Sequence, residues 1–268
     1  MTTDNYEERF VAFVDILGFG DWVVQAHKSA EMRGAIAESL KRAQELYAAQ
    51  SAETGLAFHF FSDSIIASSR LTVEGLWHLL LSLDSLTWNL LQQDVWVRGA
   101  VAVGGVFVDP AIVFGTGINR AYRLESTLAK FPRIILSRDV VGYVSSLSNE
   151  AEWANVYAGS RVRRDSDGVY YLHFLTELAA ANATAKPGSK AEEELVWLVK
   201  GKEIRDQLQY RIDAAVEAPD VYAKAKWMAD YWNREVVRDR SPNDVVIGRV
   251  NTADDVPRPL GLPFRGSF

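Results

Sequence analysis

The chain has 268 residues, of which 48% are apolar and eight are Trp, enough to bury a full core as one domain with an appended subdomain. Its 29 Lys and Arg against 35 Asp and Glu give a net charge of -6, which excludes a protein that coats nucleic acid through clustered cations. There is no cysteine, so disulfides, thiolate nucleophiles and Cys-ligated zinc are excluded, and a reducing cytoplasm is the expected compartment. The opening MTTDNYEERF carries acids and no apolar signal core, and no later apolar run approaches the roughly 20 residues of a membrane helix, so no direct membrane insertion is expected.

Taken in chain order, Arg9–Asp15 (RFVAFVD) is β-branched and aromatic and ends at ILGFG, the pattern of a buried central strand interrupted by an acid, Asp15. Asp21 to about Gln50 has helical spacing. Leu56–Ser69 predicts two short strands turning at Ser62-Asp63, because Ser and Asp favour local turn hydrogen bonds. Leu71–Gln93 predicts an apolar helix, and VWVRGAVAVGGVFVD a strand, a Gly-Gly break and a second strand; the Gly pair permits sharp turning or close backbone approach. Gly115–Lys130 predicts a helix beginning near Thr116 or Gly117, followed by a strand at Pro132–Ser137 and a hairpin around Arg161–Phe174. Helices are expected at about Lys190–Val216 and Pro219–Val237, the first introduced by an AKPGSK loop, and the last segment, with Pro242, Pro257, Pro259 and Pro263, is expected to be irregular. This order predicts an α+β fold, an antiparallel-rich, ferredoxin-like sheet covered by helices over residues 1–180, with a helical extension and Pro-containing tail over 181–268.

Two acids stand where a charge has meaning, Asp15 at a strand end and Asp63 at a hairpin tip. Adjacent strands would bring them together, and paired carboxylates can hold divalent ions that bridge triphosphate oxygens. Either Asp alone is common in a strand end or turn. Asn119 and Arg123 lie four apart on the predicted helix and share a face, an amide and a guanidinium suited to a phosphate or ribose; taken alone, a surface Asn and a paired Arg are the commoner reading.

Together FVDILGF (Phe13–Phe19), Ser62-Asp63, VRGAVAVGGV (Val97–Val106) and GTGINRAYRLE (Gly115–Glu125), in this order, resemble class III nucleotidyl cyclases over roughly residues 8–140. The resemblance implies that Asp15, Asp63 and the backbone carbonyl of Ile16 bind two Mn²⁺ or Mg²⁺ ions. It also implies that amides of Leu17, Gly18 and Phe19 cradle the β- and γ-phosphates, that Asn119 orients the ribose and that Arg123 stabilises the pentavalent phosphorus. It further implies a homodimer with shared sites, each taking its metal acids from one subunit and its Asn and Arg from the other.

The base-selecting positions depart from the purine enzymes. His59 stands where adenylate cyclases carry Lys and guanylate cyclases Glu, and Ile112 where they carry Asp or Thr, or often Cys. A packed strand histidine is as good a reading of His59 as base contact. With FSDS, the altered pair and the Lys226–Asn233 segment KWMADYWN, the chain resembles bacterial Pycsar pyrimidine cyclases. That resemblance implies a pyrimidine nucleoside triphosphate cyclised to cyclic UMP or cyclic CMP, a role in antiphage defence, and a separate effector that reads the cyclic nucleotide; with His59 at the base-selecting position, UTP is taken as the favoured substrate and CTP as the next. A neutral His can donate or accept, which leaves the base open here. The alternatives are a cytidylate cyclase, a divergent purine cyclase or a nonenzymatic nucleotide sensor; no GGDEF-like turn marks a diguanylate cyclase.

Further cations invite the same question. Arg98 can face the nucleotide cleft or solvent, Lys200 and Lys202 sit in a helix start, and Arg161, Arg163 and Arg164 read as a solvated hairpin edge rather than a triphosphate contact. The aromatics of KWMADYWN read as core or dimer contacts.

Overall fold

The computed structural model describes residues 6–30, 33–34, 37–38, 41, 55–109, 112–147, 161–175 and 192–238. The second half of the helical segment expected before Gln50, the AKPGSK loop and the Pro-containing tail lie outside these residues.

Strand β1 (Tyr6–Ile16) leads into α1 (Phe19–Lys28); β2 (Ala57–Phe61) and β3 (Ser64–Arg70) follow as a hairpin, then α2 (Val73–Leu91) and β4 (Val97–Val108). These elements form a β-α-β-β-α-β unit with strands in the order β2-β3-β1-β4, every pair antiparallel, the expected ferredoxin-like arrangement in an α+β fold. Two residues, β5 (Val113–Phe114), pair back on β4, and α3 (Thr116–Leu128) then crosses to β6 (Ile134–Leu136), which runs parallel to β4. A parallel neighbour requires such a crossover, and α3 supplies it. Helix α4 (Arg138–Ser146), the hairpin of β7 (Val162–Arg164) and β8 (Tyr170–Leu172), and helices α5 (Glu192–Ala214) and α6 (Pro219–Arg238) complete the described chain. No described helix is long and apolar enough to cross a membrane.

Period-two alternation decides which face of β1 meets which helix. Phe10, Ala12, Val14 and Ile16 join Leu76, Leu79, Leu80, Leu83, Leu86 and Leu90 of α2 in the main core. Each of those buried leucines contributes roughly 1.5–3 kcal/mol through removal from water. Val11 and Phe13 point to the other face, beneath α3 and the β4-β5 arm, with Ile66, Ala102, Val108, Val113, Ile118 and Ala121. Asp15 continues this second series.

The predicted break at Gly104-Gly105 does not occur: β4 runs unbroken from Val97 to Val108. The glycines serve close approach instead. A Cβ on Gly104 would stand 2.6 Å from the Gly117 Cα in the first turn of α3, and one on Gly105 would stand 2.4 Å from the Tyr6 ring. Helix α4 is an addition that the sequence reading lacked, its start capped by Ser137, whose hydroxyl accepts from the Val140 amide.

Helices α5 and α6 close over one end of the sheet. Ile204, Leu208, Ile212, Trp227, Met228, Tyr231 and Trp232 bury against Trp96, Tyr171 and Phe174, with Leu17 at their margin, so the KWMADYWN aromatics are core. Polar groups fix this packing. The Tyr231 hydroxyl accepts from the Phe174 and Leu175 amides at 3.0 and 3.2 Å and lies 2.6 Å from His173 Nδ1. The fully buried Arg133 pairs with Asp165 and Asp167, and the Trp227 indole donates to Asp165 at 2.6 Å. Arg161 is no solvated edge residue: it pairs with the buried Asp84 of α2 and lies over the Trp77 ring.

Candidate active site

The β2-β3 connection is a two-residue turn, Ser62-Asp63, in which Ser62 adopts a left-handed φ of 54°. A non-glycine residue there costs on the order of 1 kcal/mol, the kind of local strain that collects at working sites. The turn lies beside the end of β1. Asp15 pairs with Ser64 in the ladder, and the Ile16 amide donates to the Asp63 carbonyl at 3.0 Å. The two acids thus occupy neighbouring strand ends.

Burial raises the Asp15 carboxyl above its ordinary range and the negative charge of Asp63 adds to this, while Arg98 and, more weakly, Lys224 of α6 oppose it. Arg98 stands directly opposite Asp15 on β4, its Nε donating to Asp15 Oδ2 at 3.2 Å. The same Nε lies 2.7 Å from Oε1 of Glu125, a residue of α3 that is 2% exposed. Burial also raises Glu125, with Arg98 opposing and Asp15 reinforcing. Arg98 therefore faces Asp15 and Glu125 rather than solvent. Sequence reasoning assigns Glu125 no role; the signal that marks it is a carboxylate two positions after Arg123, on the opposite face of the helix.

Beyond Ile16 the chain turns through Gly18, whose φ of 75° favours glycine, into the first turn of α1 at Phe19. The Leu17 amide donates to the Trp96 carbonyl at 2.8 Å, and its side chain rests on the α5-α6 cluster. That N–H is thus engaged within the chain, and an anion at this turn would meet Gly18 and the start of α1.

His59 is half-buried on β2. Its Nε2 lies 3.1 Å from the Asp109 carbonyl, and Asp109 and Ile112 exchange backbone hydrogen bonds, which connects His59 to the exposed Ile112. A carbonyl only accepts, so Nε2 carries the proton and, in the neutral ring, Nδ1 is an acceptor. Nδ1 is buried without a hydrogen bond among the described residues.

Asn119 and Arg123 are exposed on the outward face of α3, while Glu125 and Ala121 face the sheet. Among the described residues neither the Asn119 nor the Arg123 side chain has a hydrogen bond or ion pair. The chain brings Asp15, Ile16 and Asp63 together at one place and His59 and Ile112 at a second. It directs Asn119 and Arg123 away from its own acid pair.

Donor chemistry at the acid pair suits hard divalent cations. Two carboxylates and the Ile16 carbonyl are all oxygen donors, which Mg²⁺ and Mn²⁺ prefer, and such ions complete their shells with substrate phosphates and water.

No family model matches the chain, and no curated protein matches it. Its structure is similar to a bacterial light-regulated adenylyl cyclase, at 16% identity over 52% of this chain and 45% of that one, with a TM-score of 0.37. It is similar also to the guanylyl cyclase Cya2, at 14% identity over 62% of this chain and 91% of that one, TM-score 0.39. A third is the catalytic core of a rhodopsin-guanylyl cyclase with converted specificity in complex with ATPalphaS, at 16% identity over 62% and 95%, TM-score 0.40.

Proposed function

We propose that this chain is a class III-type nucleotidyl cyclase that converts UTP to 3′,5′-cyclic UMP and pyrophosphate as a homodimer, in the service of antiphage defence through a separate effector protein. The observation that carries the reading is the division of the site. The two acids meet at adjoining strand ends, whereas Asn119 and Arg123 stand outward on α3 with no partner of their own among the described residues. A second copy related by a two-fold axis would complete each site with the other's helix face.

In this reading Asp15, Asp63 and the Ile16 carbonyl would hold two Mn²⁺ or Mg²⁺ ions. When bound, the ions neutralise triphosphate charge and favour loss of the ribose 3′-proton. The turn at Gly18 and the start of α1 offer a helix N-terminus to the β- and γ-phosphates. Asn119 orients the ribose so that the 3′-oxygen lies in line with the α-phosphorus, and Arg123 meets the charge that develops as that bond forms and pyrophosphate departs.

Where the purine enzymes it resembles read their base with Lys or Glu, this chain carries half-buried His59 linked to the exposed, apolar Ile112, which favours a smaller base; UTP is the first reading and CTP the second. Purified protein with Mn²⁺ and an equimolar mixture of ATP, GTP, CTP and UTP tests the proposal by chromatography. Cyclic UMP as the main product is expected, and a purine product would overturn the role given to His59 and Ile112.

A further inference from the structure

Arg98 is held between two carboxylates by one atom. Its Nε carries a single proton, directed at Asp15 Oδ2. Glu125 Oε1 lies closer to that nitrogen, at 2.7 Å, yet is buried and receives no aligned hydrogen bond among the described residues. A buried acceptor left without its donor is costly, and a small rotation of the guanidinium away from Asp15 would satisfy it. The arrangement therefore has two positions for one cation, of which the one in the structure occupies the carboxylate that divalent metal would need.

We propose that Arg98 and Glu125 form an exchange device that sets the affinity of the acid pair for metal. Without metal, Arg98 holds the Asp15 carboxylate. On metal arrival its Nε–H passes to Glu125, which keeps the displaced guanidinium paired in a half-buried place where an unpaired charge would be expensive. Glu125 is thus a positioning residue that acts through Arg98. The inference rests on the reading that Asp15 and Asp63 hold divalent cation.

The test is direct Mn²⁺ binding to the full chain without nucleotide, read from the electron paramagnetic resonance signal of free Mn²⁺, with Asp15→Asn as the blank. Glu125→Gln should weaken Asp15-dependent binding by about tenfold, in the range found for outer-shell partners of metal ligands. Arg98→Gln should tighten it severalfold by removing the competitor. The decisive arm is the Arg98→Gln/Glu125→Gln double variant, which should bind as Arg98→Gln does, because Glu125 has nothing to receive once Arg98 is gone. Simple charge addition predicts instead that Glu125→Gln weakens binding equally in both backgrounds, and that result would overturn the exchange while leaving the metal site standing. Absence of any Asp15-dependent binding, in wild type and in Arg98→Gln alike, would overturn both. Should Glu125→Gln fail to fold, as judged by near-UV circular dichroism, the sign for Arg98→Gln still decides: weaker binding refutes the device.

Discussion

If each site joins the acid pair of one subunit to the α3 face of its mate, two inactive variants should rescue each other. Asp63→Ala would then remove one of the proposed metal carboxylates, and Arg123→Ala the cation proposed to meet the reacting phosphate, a loss of about 10²–10³ in rate by analogy with a single transition-state donor. The structure sets the expected recovery. Arg123 is outward on α3 while Glu125 faces the sheet, so a chain's own Arg123 is directed away from its own Asp15 and Asp63. Random reassociation of equal amounts places about half of all chains in mixed dimers, each with one site bearing both lesions and one intact site, giving about a quarter of wild-type activity. Asp15→Ala mixed with Asp63→Ala should recover nothing, because both lesions fall in the same half-site. The assay is cyclic nucleotide formation after the variants are mixed, incubated and checked for dimerisation by light scattering. Dimers that form and show no recovery in the first mixture, or recovery in the second, would refute the shared-site reasoning.

The remaining predictions concern charge and packing. Asp15, raised by burial, contributes stability that is present below the ordinary carboxylate range and lost as pH rises through its raised value. Asp15→Asn should therefore raise the melting temperature of metal-free protein at neutral pH, an advantage that disappears on acidification, while abolishing Mn²⁺ binding. Gly104→Ala should cost about 1–3 kcal/mol in urea unfolding because its Cβ meets the α3 backbone, whereas Gly105→Ala meets the movable Tyr6 ring and should cost less. Burial raises Asp165, but the Trp227 indole, the Ser166 amide and Arg133 outweigh it and hold the carboxyl below its ordinary range, so its stabilising contribution is present above that range and lost as pH falls through the lowered value. Asp165→Ala should cost about 3 kcal/mol by leaving the buried Arg133 with Asp167 alone and the Trp227 indole without its acceptor, measured by denaturant unfolding at neutral pH.

The acid pair was legible in the sequence because its signals are local. An Asp breaks the apolar run of β1, and Ser-Asp interrupts the alternation of β2 and β3 where a turn must fall. Gly104-Gly105 misled because a glycine pair has the same local signature whether the chain turns there or another backbone crosses it, and the crossing partner, Gly117, lies in a different element. Helix α4 was missed because RDVVGYVSS is rich in β-branched residues, so the Ser137 cap was its main helical signal. Arg161 looked like an exposed hairpin residue, and only tertiary packing brings Asp84 of α2 beneath it. The Asp15–Arg98–Glu125 contact and the tautomer of His59 depend on partners tens of residues away, which spacing along one chain does not encode.

The most direct test of the central claim is the stoichiometry of products from UTP in Mn²⁺, cyclic UMP by chromatography and pyrophosphate by a coupled assay, with Asp63→Ala alongside. One cyclic UMP for each pyrophosphate, both lost in the variant, is the predicted result. Pyrophosphate accompanied by linear UMP, or tight UTP binding with no turnover under conditions where the wild-type protein binds Mn²⁺, would contradict it.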